Sequence, residues 1–232
     1  MGDYLDRIQR LMPPPERVPR VDWGAGPVHV GFRFPSDYRA FVDRYGAGSV
    51  GNELGILTPL MSGSWFGATN GFEAMTGYTE HEVGRAMREM REEWPDNFPF
   101  SFHPEPDGLL AWARNPNGDV CFWHMNAPDA DAWPVYVWER GRRSSEAWSR
   151  YDHGMTGVVH DALTGAEPLS RLLVSAAPQE RQTWFGAAYR GLAPRWQEPA
   201  PEADIPPTRL SVAPGRQGGP HRRRLPPRLQ GG

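Results

Sequence analysis

LLAWARNPNGDVCFWHM, residues 109–125, is the stretch from which the architecture of this chain is predicted most clearly. Residues 109–114 and 120–125 are rich in apolar and aromatic side chains, which favour β-strands. The connection between them, Asn-Pro-Asn-Gly-Asp, consists of residues that tolerate turn geometry. We therefore predict a β-hairpin here.

Further strands are predicted on both sides of this hairpin. Residues 133–139 follow an acidic loop and favour a third strand, and a weaker strand includes Trp148 and Tyr151. Before the hairpin, residues 53–60 alternate and contain Pro59 near their end, which suits a short edge strand because proline cannot donate to a hydrogen-bond ladder. The strands together favour a largely antiparallel sheet.

Apolar residues at helical spacing predict two helices near the amino terminus. A short leading helix is stopped by three prolines, residues 13–15, because proline lacks the amide donor. The next helix starts at Ser36, whose side chain can cap it, and ends at Gly46, where a left-handed C-cap is usual. Its apolar face consists of Tyr38, Phe41, Val42 and Tyr45.

Three more helices are predicted downstream. One begins at Thr79, where Glu82 completes a possible capping box, after a loop rich in Gly, Ser and Asn that runs to Gly77. Another covers residues 155–163 and is ended by a glycine. The last covers residues 179–192. Its apolar side consists of Trp184, Phe185, Ala188 and Tyr189.

These elements predict an α+β fold in which helices pack against a largely antiparallel sheet. Beyond Pro194 the chain consists mainly of Pro, Gly, Arg and Gln with hardly any aromatic residue, so it cannot bury enough surface to offset the entropy of ordering. We therefore predict one domain over residues 1–193, including the extra C-terminal helix, and a disordered tail over residues 194–232.

Charge divides at the same boundary. Residues 194–232 hold seven arginines and three acidic residues, which leaves 18 arginines and 25 acidic residues for residues 1–193. The acidic domain argues against a nucleic-acid partner, because phosphate binding needs a positive surface. The tail run at residues 221–224 could touch nucleic acid or an acidic surface, although a solvated charge run is the ordinary interpretation.

Composition also gives expectations about source and compartment. All 25 basic residues are arginine, which is typical of a GC-rich bacterial genome. Residues 1–10 lack the basic start and apolar stretch of a secretory signal, and no apolar run approaches the ~20 residues that cross a bilayer. We expect a soluble, cytoplasmic protein without a membrane partner.

The sequence indicates no catalytic, metal or cofactor site. Cys121, the only cysteine, lies in an apolar strand, so we expect a buried packing role. His81-Glu82 lacks a second histidine four residues on, as a zinc motif would require. His153 and His160 stand seven residues apart and could share a helix face, although a partly exposed, solvated pair is the commoner interpretation. His124 could be a hydrogen-bonding residue at the edge of the core. We found no nucleophile elbow, phosphate loop or dinucleotide fingerprint.

Six of the ten tryptophans lie between residues 94 and 148. Such a group can form a stacking platform for bases or a carbohydrate cleft. We interpret them more simply as residues of the sheet, some in its core and some at its rim. The sheet residues among them are Trp112, Trp123, Trp133 and Trp138.

The ordered series of motifs resembles the SUKH superfamily, of the Smi/Knr cell-wall-assembly-regulator type. Residues 34–48 and 54–59 are similar to its opening signature, and the hairpin with residues 131–135 is similar to its second half. The resemblance covers about residues 20–165. The chain departs from the pattern in the insert at residues 65–100 and after Gly165.

This resemblance implies a protein-binding function without catalysis. Bacterial members are chiefly regarded as immunity proteins that bind and neutralise cognate toxin domains. Many such toxins are basic nucleases, so an acidic domain is compatible with this role. The expected contacts are on the outer face of the third predicted helix and in the acidic loop before Trp133. They are Glu89, Glu92, Glu93, Asp129 and Asp131.

Two other functions stay open. The fungal relatives imply a regulatory or scaffold module that docks on signalling or cell-wall machinery, with the tail as a second recruiting element. An enzyme that acts on a small molecule or a nucleic acid is the third possibility. It would place His124, His153 or His160 in a deep cleft with a carboxylate.

Overall fold

The computed structural model describes residues 3–60, 65–142 and 146–186. The α-helices are α1 (Asp3–Leu11), α2 (Gly26–Val30), α3 (Ser36–Tyr45), α4 (Gly71–Gly77), α5 (Gly84–Glu93) and α6 (Gly154–Thr164). Short 3₁₀ turns cover Trp65–Gly67, Pro95–Asn97, Ala130–Ala132 and Leu169–Leu173, and a π-helical turn, Tyr78–Val83, joins α4 to α5. In these residues, no helix is long and apolar enough to cross a membrane.

One antiparallel sheet organises the fold. Its strands are β1 (Gly48–Val50), β2 (Leu54–Ile56), β3 (Leu109–Arg114), β4 (Val120–His124), β5 (Val135–Trp138), β6 (Trp148–Tyr151) and β7 (Trp184–Gly186). They lie in the order β6-β5-β4-β3-β2-β1-β7, and each neighbouring pair is antiparallel. The α+β prediction is therefore confirmed.

The predicted hairpin forms the centre of this sheet as β3 and β4. Its turn is closed by two side chains, since Asn115 Nδ2 donates to Asp119 Oδ2 (2.8 Å) and Asp119 N donates to Asn115 Oδ1 (3.0 Å). Gly118 supplies the positive φ of 92° that the reversal needs. The register shifts at Trp112, which is fully buried and stacks on Trp123 at 5.9 Å. The tryptophans of the hairpin are therefore core residues, as predicted.

Strand β2 lies inside the sheet, so the predicted edge position is wrong. Its outer neighbour is β1, a strand of three residues without a sequence signal of its own. Strand β7 then pairs with β1. A Cβ at Gly48 would lie 2.3 Å from the carbonyl oxygen of Phe185, so only glycine permits this close approach.

The described part of the predicted C-terminal helix, residues 179–186, is not helical. Residues 184–186 form β7, and residues 187–192 lie outside the described residues, as does the whole predicted tail. The Trp184 ring contacts Phe41 at 5.7 Å and Tyr45 at 5.3 Å. Packing on α3 and pairing with β1 outweigh the helical spacing, because helix propensity is a weak preference.

The helix that contains α5 starts earlier than predicted. Residues 71–77, predicted as loop, form α4, because Asn70 Oδ1 accepts from the backbone N–H groups of Phe72 (2.9 Å) and Glu73 (3.1 Å). Thr79 does not begin a helix. Its hydroxyl instead accepts a hydrogen bond from Ala111 N (2.9 Å), which ties the π-helical turn to β3.

The predicted helices α1, α3 and α6 are confirmed, and a buried carboxylate joins the last two. Asp37 is 9% exposed, and its Oδ2 accepts from Thr156 N (2.9 Å) and Thr156 Oγ1 (3.1 Å) at the start of α6. A Cβ at Gly154 would lie 2.6 Å from the same oxygen. The two helices are therefore fixed to each other at this end of the sheet.

Candidate partner-binding surface

Helix α5 places one apolar stripe against the sheet. Val83, Met87, Met90 and Trp94 recur at a spacing of three or four residues, so they share a face. Met87 is buried and Met90 is half-buried, whereas Trp94 is 48% exposed. The stripe thus runs from the core out to solvent, with its largest side chain at the open end.

A cavity of about 600 Å³ lies between this stripe and the end of β5, and we call it the α5 groove. It is lined by Val83, Ala86, Met87, Met90, Trp94, Asn97, Phe98, Gly118, Trp138, Arg140, Arg142 and Ala147. Most of these side chains are apolar, and the charged ones come from the β5–β6 connection. The groove therefore joins a helix to a hairpin turn that is distant from it in sequence.

The segment that follows Trp94 is fixed by contacts with the sheet. Trp148 Nε1 donates to Asn97 O (2.9 Å), and the Phe98 ring contacts Trp138 at 6.1 Å. On the other side of α5, Arg91 donates to Phe100 O (2.8 Å). These contacts fix the backbone on both sides of Trp94. The exposed indole of Trp94 therefore lies on a backbone segment that is fixed in position.

The charges differ on the two sides of the groove. Glu89 and Glu93, one turn apart on α5, flank the stripe on its Ala86 side, and we call them the acidic rim. Both are exposed. Glu89 pairs with Arg85 at 3.2 Å, a contact exposed enough to contribute little. The carboxylate of Glu93 has no hydrogen bond or ion pair within the described residues.

The opposite side of the groove is basic. Arg142 pairs with Glu139 (3.2 Å) and Glu146 (3.5 Å), so its charge is balanced. The guanidinium of Arg140 has no partner in the part of the chain that the structure describes. Its stem lies over the hairpin turn, where a Cβ at Gly118 would be only 2.7 Å from Arg140 Cδ.

The structure divides the five predicted contact residues among three places. By helical spacing, Glu89 and Glu93 lie on the side of α5 next to Ala86, which lines the groove. Glu92 is exposed on α5, about 200° around the helix from Met90, and so faces away from the groove. Asp129 and Asp131 lie in the acidic loop before Trp133.

Both aspartates of the acidic loop already have partners within the chain. Asp129 Oδ1 accepts from Asp131 N (3.0 Å) at the start of the short 3₁₀ turn. Asp131 Oδ1 accepts a hydrogen bond from Ser36 N, where the N-cap position of α3 is Pro35. Asp131 thus supplies the cap that we predicted for Ser36 itself. The role of this loop in partner binding stays a prediction.

The predicted histidine pair does share a face of α6. His153 Nε2 lies 3.2 Å from Asp161 Oδ2, and His160 Nδ1 lies 3.0 Å from Asp161 Oδ1. The Tyr4 ring contacts both imidazoles, at 5.8 and 5.4 Å. The cluster therefore joins α1 to α6. His153 also lines a cavity of about 270 Å³ with Asp37, whose carboxylate is engaged at α6.

The other candidate chemical groups have structural surroundings. Cys121 is fully buried, and burial raises the pKa of its thiol, with a further contribution from Asp119. His124 contacts the rings of Phe100 and Tyr136, and burial lowers its pKa. Among residues 3–60, 65–142 and 146–186, no group of three or more His, Cys, Asp or Glu side chains could hold a metal ion.

A comparison with protein families identifies the domain. A family model described as SUKH_6, SMI1-KNR4 cell-wall, matches residues 29–152, more than half of the chain. The chain belongs to the SUKH superfamily. The SUKH match includes every residue that lines the α5 groove, and it extends from within α2 to just beyond β6. No curated protein and no solved structure matched the chain significantly.

Proposed function

We propose that this SUKH domain is an immunity protein, which binds and neutralises a cognate bacterial toxin domain. The observation that carries the proposal is Trp94, a half-exposed tryptophan at the mouth of an apolar groove. Tryptophan is enriched among the residues that dominate binding energy in protein interfaces, especially beside pockets that exclude water. Family membership supports a protein partner over a small substrate.

The charge of the domain supports a basic partner. Residues 1–193 carry more acidic residues than arginines, and the acidic rim lies on the side of α5 next to Ala86, which lines the groove. Complementary charge raises the rate of association and disfavours wrong partners. The mechanism that we propose is occlusion, in which the domain covers the active surface of the toxin.

Co-expression tests this proposal. The first step is to search the neighbouring genes for a large secreted protein with a variable C-terminal domain. That C-terminal domain is then produced in cells with or without this chain. We expect growth only when the chain is present, together with a complex that survives purification. Unimpaired toxicity in the presence of the folded chain, with no complex detected, would contradict the proposal.

A further inference from the structure

We propose that the α5 groove receives a partner helix whose arginine stacks on Trp94 beside Glu93 and whose apolar side chain, one turn away, enters the cavity. This inference rests on the proposed function for the identity of the partner as a toxin. It adds the chemistry by which the partner is recognised and the direction in which it lies.

The arginine follows from the surroundings of Trp94. About half of the residue is exposed, while Glu93, the residue before it, is exposed and has no partner within the described chain. A guanidinium over an indole face is attracted by the ring, and a nearby carboxylate adds charge pairing. Arginine suits this site better than lysine because its planar group can stack and donate to a carboxylate at once.

The apolar side chain follows from the cavity beside Trp94. Met87, Met90 and Phe98 line it, and methionine side chains adapt to the shape of a guest. Met90 and Trp94 are one helical turn apart, roughly 6 Å along α5. A partner helix with side chains four residues apart matches this spacing, as in the helix-in-groove mode of recognition.

The direction of the partner follows from the two sides of the groove. Arg140, unpaired within the described residues, repels a second cation on the β5–β6 side, whereas Glu93 attracts one on the α5 side. We therefore expect a basic partner helix to turn its arginine toward the α5 side of the groove, where Trp94 and Glu93 lie. This asymmetry gives specificity through repulsion as well as attraction.

Titration of the full chain with synthetic peptides tests the proposal without a toxin. Each peptide is an alanine-based helix of about 15 residues that carries a leucine and, four residues later, either arginine or its neutral isostere citrulline. The readout is the indole N–H signal of Trp94 in ¹⁵N spectra, identified by its loss in Trp94→Phe. We expect the arginine peptide to shift this signal to saturation and the citrulline peptide to bind about tenfold more weakly.

Matched variants separate specific contacts from net charge. Glu93→Gln should remove most of the difference between the two peptides, whereas Glu92→Gln, an adjacent exposed residue on the opposite face, should retain it. Arg140→Glu should strengthen binding of the arginine peptide, while Arg33→Glu, another exposed arginine without a partner in the described residues, should not.

Each of the following results would overturn the proposal. The arginine and citrulline peptides could bind equally, or the shifts could fall only outside the groove. A dimer of the chain that dissociates on Trp94→Ala would assign the groove to a second copy instead. Toxin neutralisation together with failed peptide binding would refute this inference alone, whereas peptide binding without neutralisation would refute the proposed function alone.

Discussion

The acidic rim on α5 and the acidic loop before Trp133 are both acidic surface regions, but their carboxylates differ in what they bind. Asp129 and Asp131 accept hydrogen bonds from the backbone and thereby stabilise a turn and the start of α3. Glu93 accepts none within the described residues and stands next to a half-exposed tryptophan. Negative charge alone therefore does not distinguish the two regions. We propose that the binding surface is the region where an unpaired carboxylate lies beside exposed aromatic area.

The largest change in stability is expected at Asp37, whose buried carboxylate accepts two hydrogen bonds from Thr156. Asp37→Ala should lower the free energy of unfolding by about 3 kcal/mol, because it leaves the buried donors of Thr156 unpaired. Urea denaturation measures the change. Asp6→Ala, at an exposed position of α1, serves as the control. A loss below about 1 kcal/mol for Asp37→Ala would show that water replaces the carboxylate at α6.

Substitution of Trp94 should reduce toxin affinity and leave stability nearly unchanged, unlike substitution of Asp37. Trp94→Ala should weaken toxin binding by about 2 kcal/mol or more, as expected for a dominant interface residue, with little change in the unfolding free energy because the side chain is half exposed. Calorimetric titration provides the affinity. The control is Val174→Ala, at an apolar residue that is 58% exposed elsewhere. Equal effects of the two variants on affinity would assign binding to another surface.

Alanine substitutions in the two acidic regions should affect different properties, stability in the acidic loop and toxin affinity in the acidic rim. Asp131→Ala should cost about 1 kcal/mol of stability through the lost cap of α3, with a smaller effect on toxin affinity than Glu93→Ala. Glu93→Ala should leave stability unchanged. The unfolding temperature and the toxin affinity of both variants check this prediction. If Asp131→Ala reduced affinity more than Glu93→Ala, the acidic loop would be the main contact.

The smallest effect is expected from the tail. Deletion of residues 194–232 should leave toxin binding and neutralisation within about 0.5 kcal/mol of the full chain, because every residue of the α5 groove lies outside the deleted part. The regulatory or scaffold alternative gives the contrary result, since an adaptor that recruits through its tail would lose its partner. A pull-down with the full and shortened chains distinguishes these outcomes.

Elements with local signals could be predicted from the sequence. The turn at Asn115–Asp119, the end of α3 at Gly46 and the apolar spacing of α6 could each be predicted, because turns and helix ends depend on neighbouring residues. Gly46 has a positive φ of 73°, but its ψ of −155° is not that of the predicted left-handed cap. Strand β7 was not predictable in this way. Strand β7 depends on Gly48, which is far away in the chain. Because Gly48 has no side chain, the backbone of β7 can approach β1 closely.

The candidate site was predictable only in part, because it too depends on residues that are distant in sequence. The acidic residues of α5 could be named from the sequence, and so could its amphipathic spacing. The groove itself depends on Trp138 and Arg140, which the sheet brings beside α5 from the other side of the hairpin. Helical spacing separates Glu93 from Glu92 on α5, but no local pattern shows that a groove lies beside the apolar stripe.

The association rate of the toxin at low ionic strength tests the central claim most directly. Charge reversal of the acidic rim, Glu89→Arg with Glu93→Arg, is compared with reversal of the acidic loop, Asp129→Arg with Asp131→Arg, in variants shown to be folded. We expect the rim reversal to slow association about tenfold or more and the loop reversal to have a clearly smaller effect. An association rate that the rim reversal leaves unchanged would contradict the account.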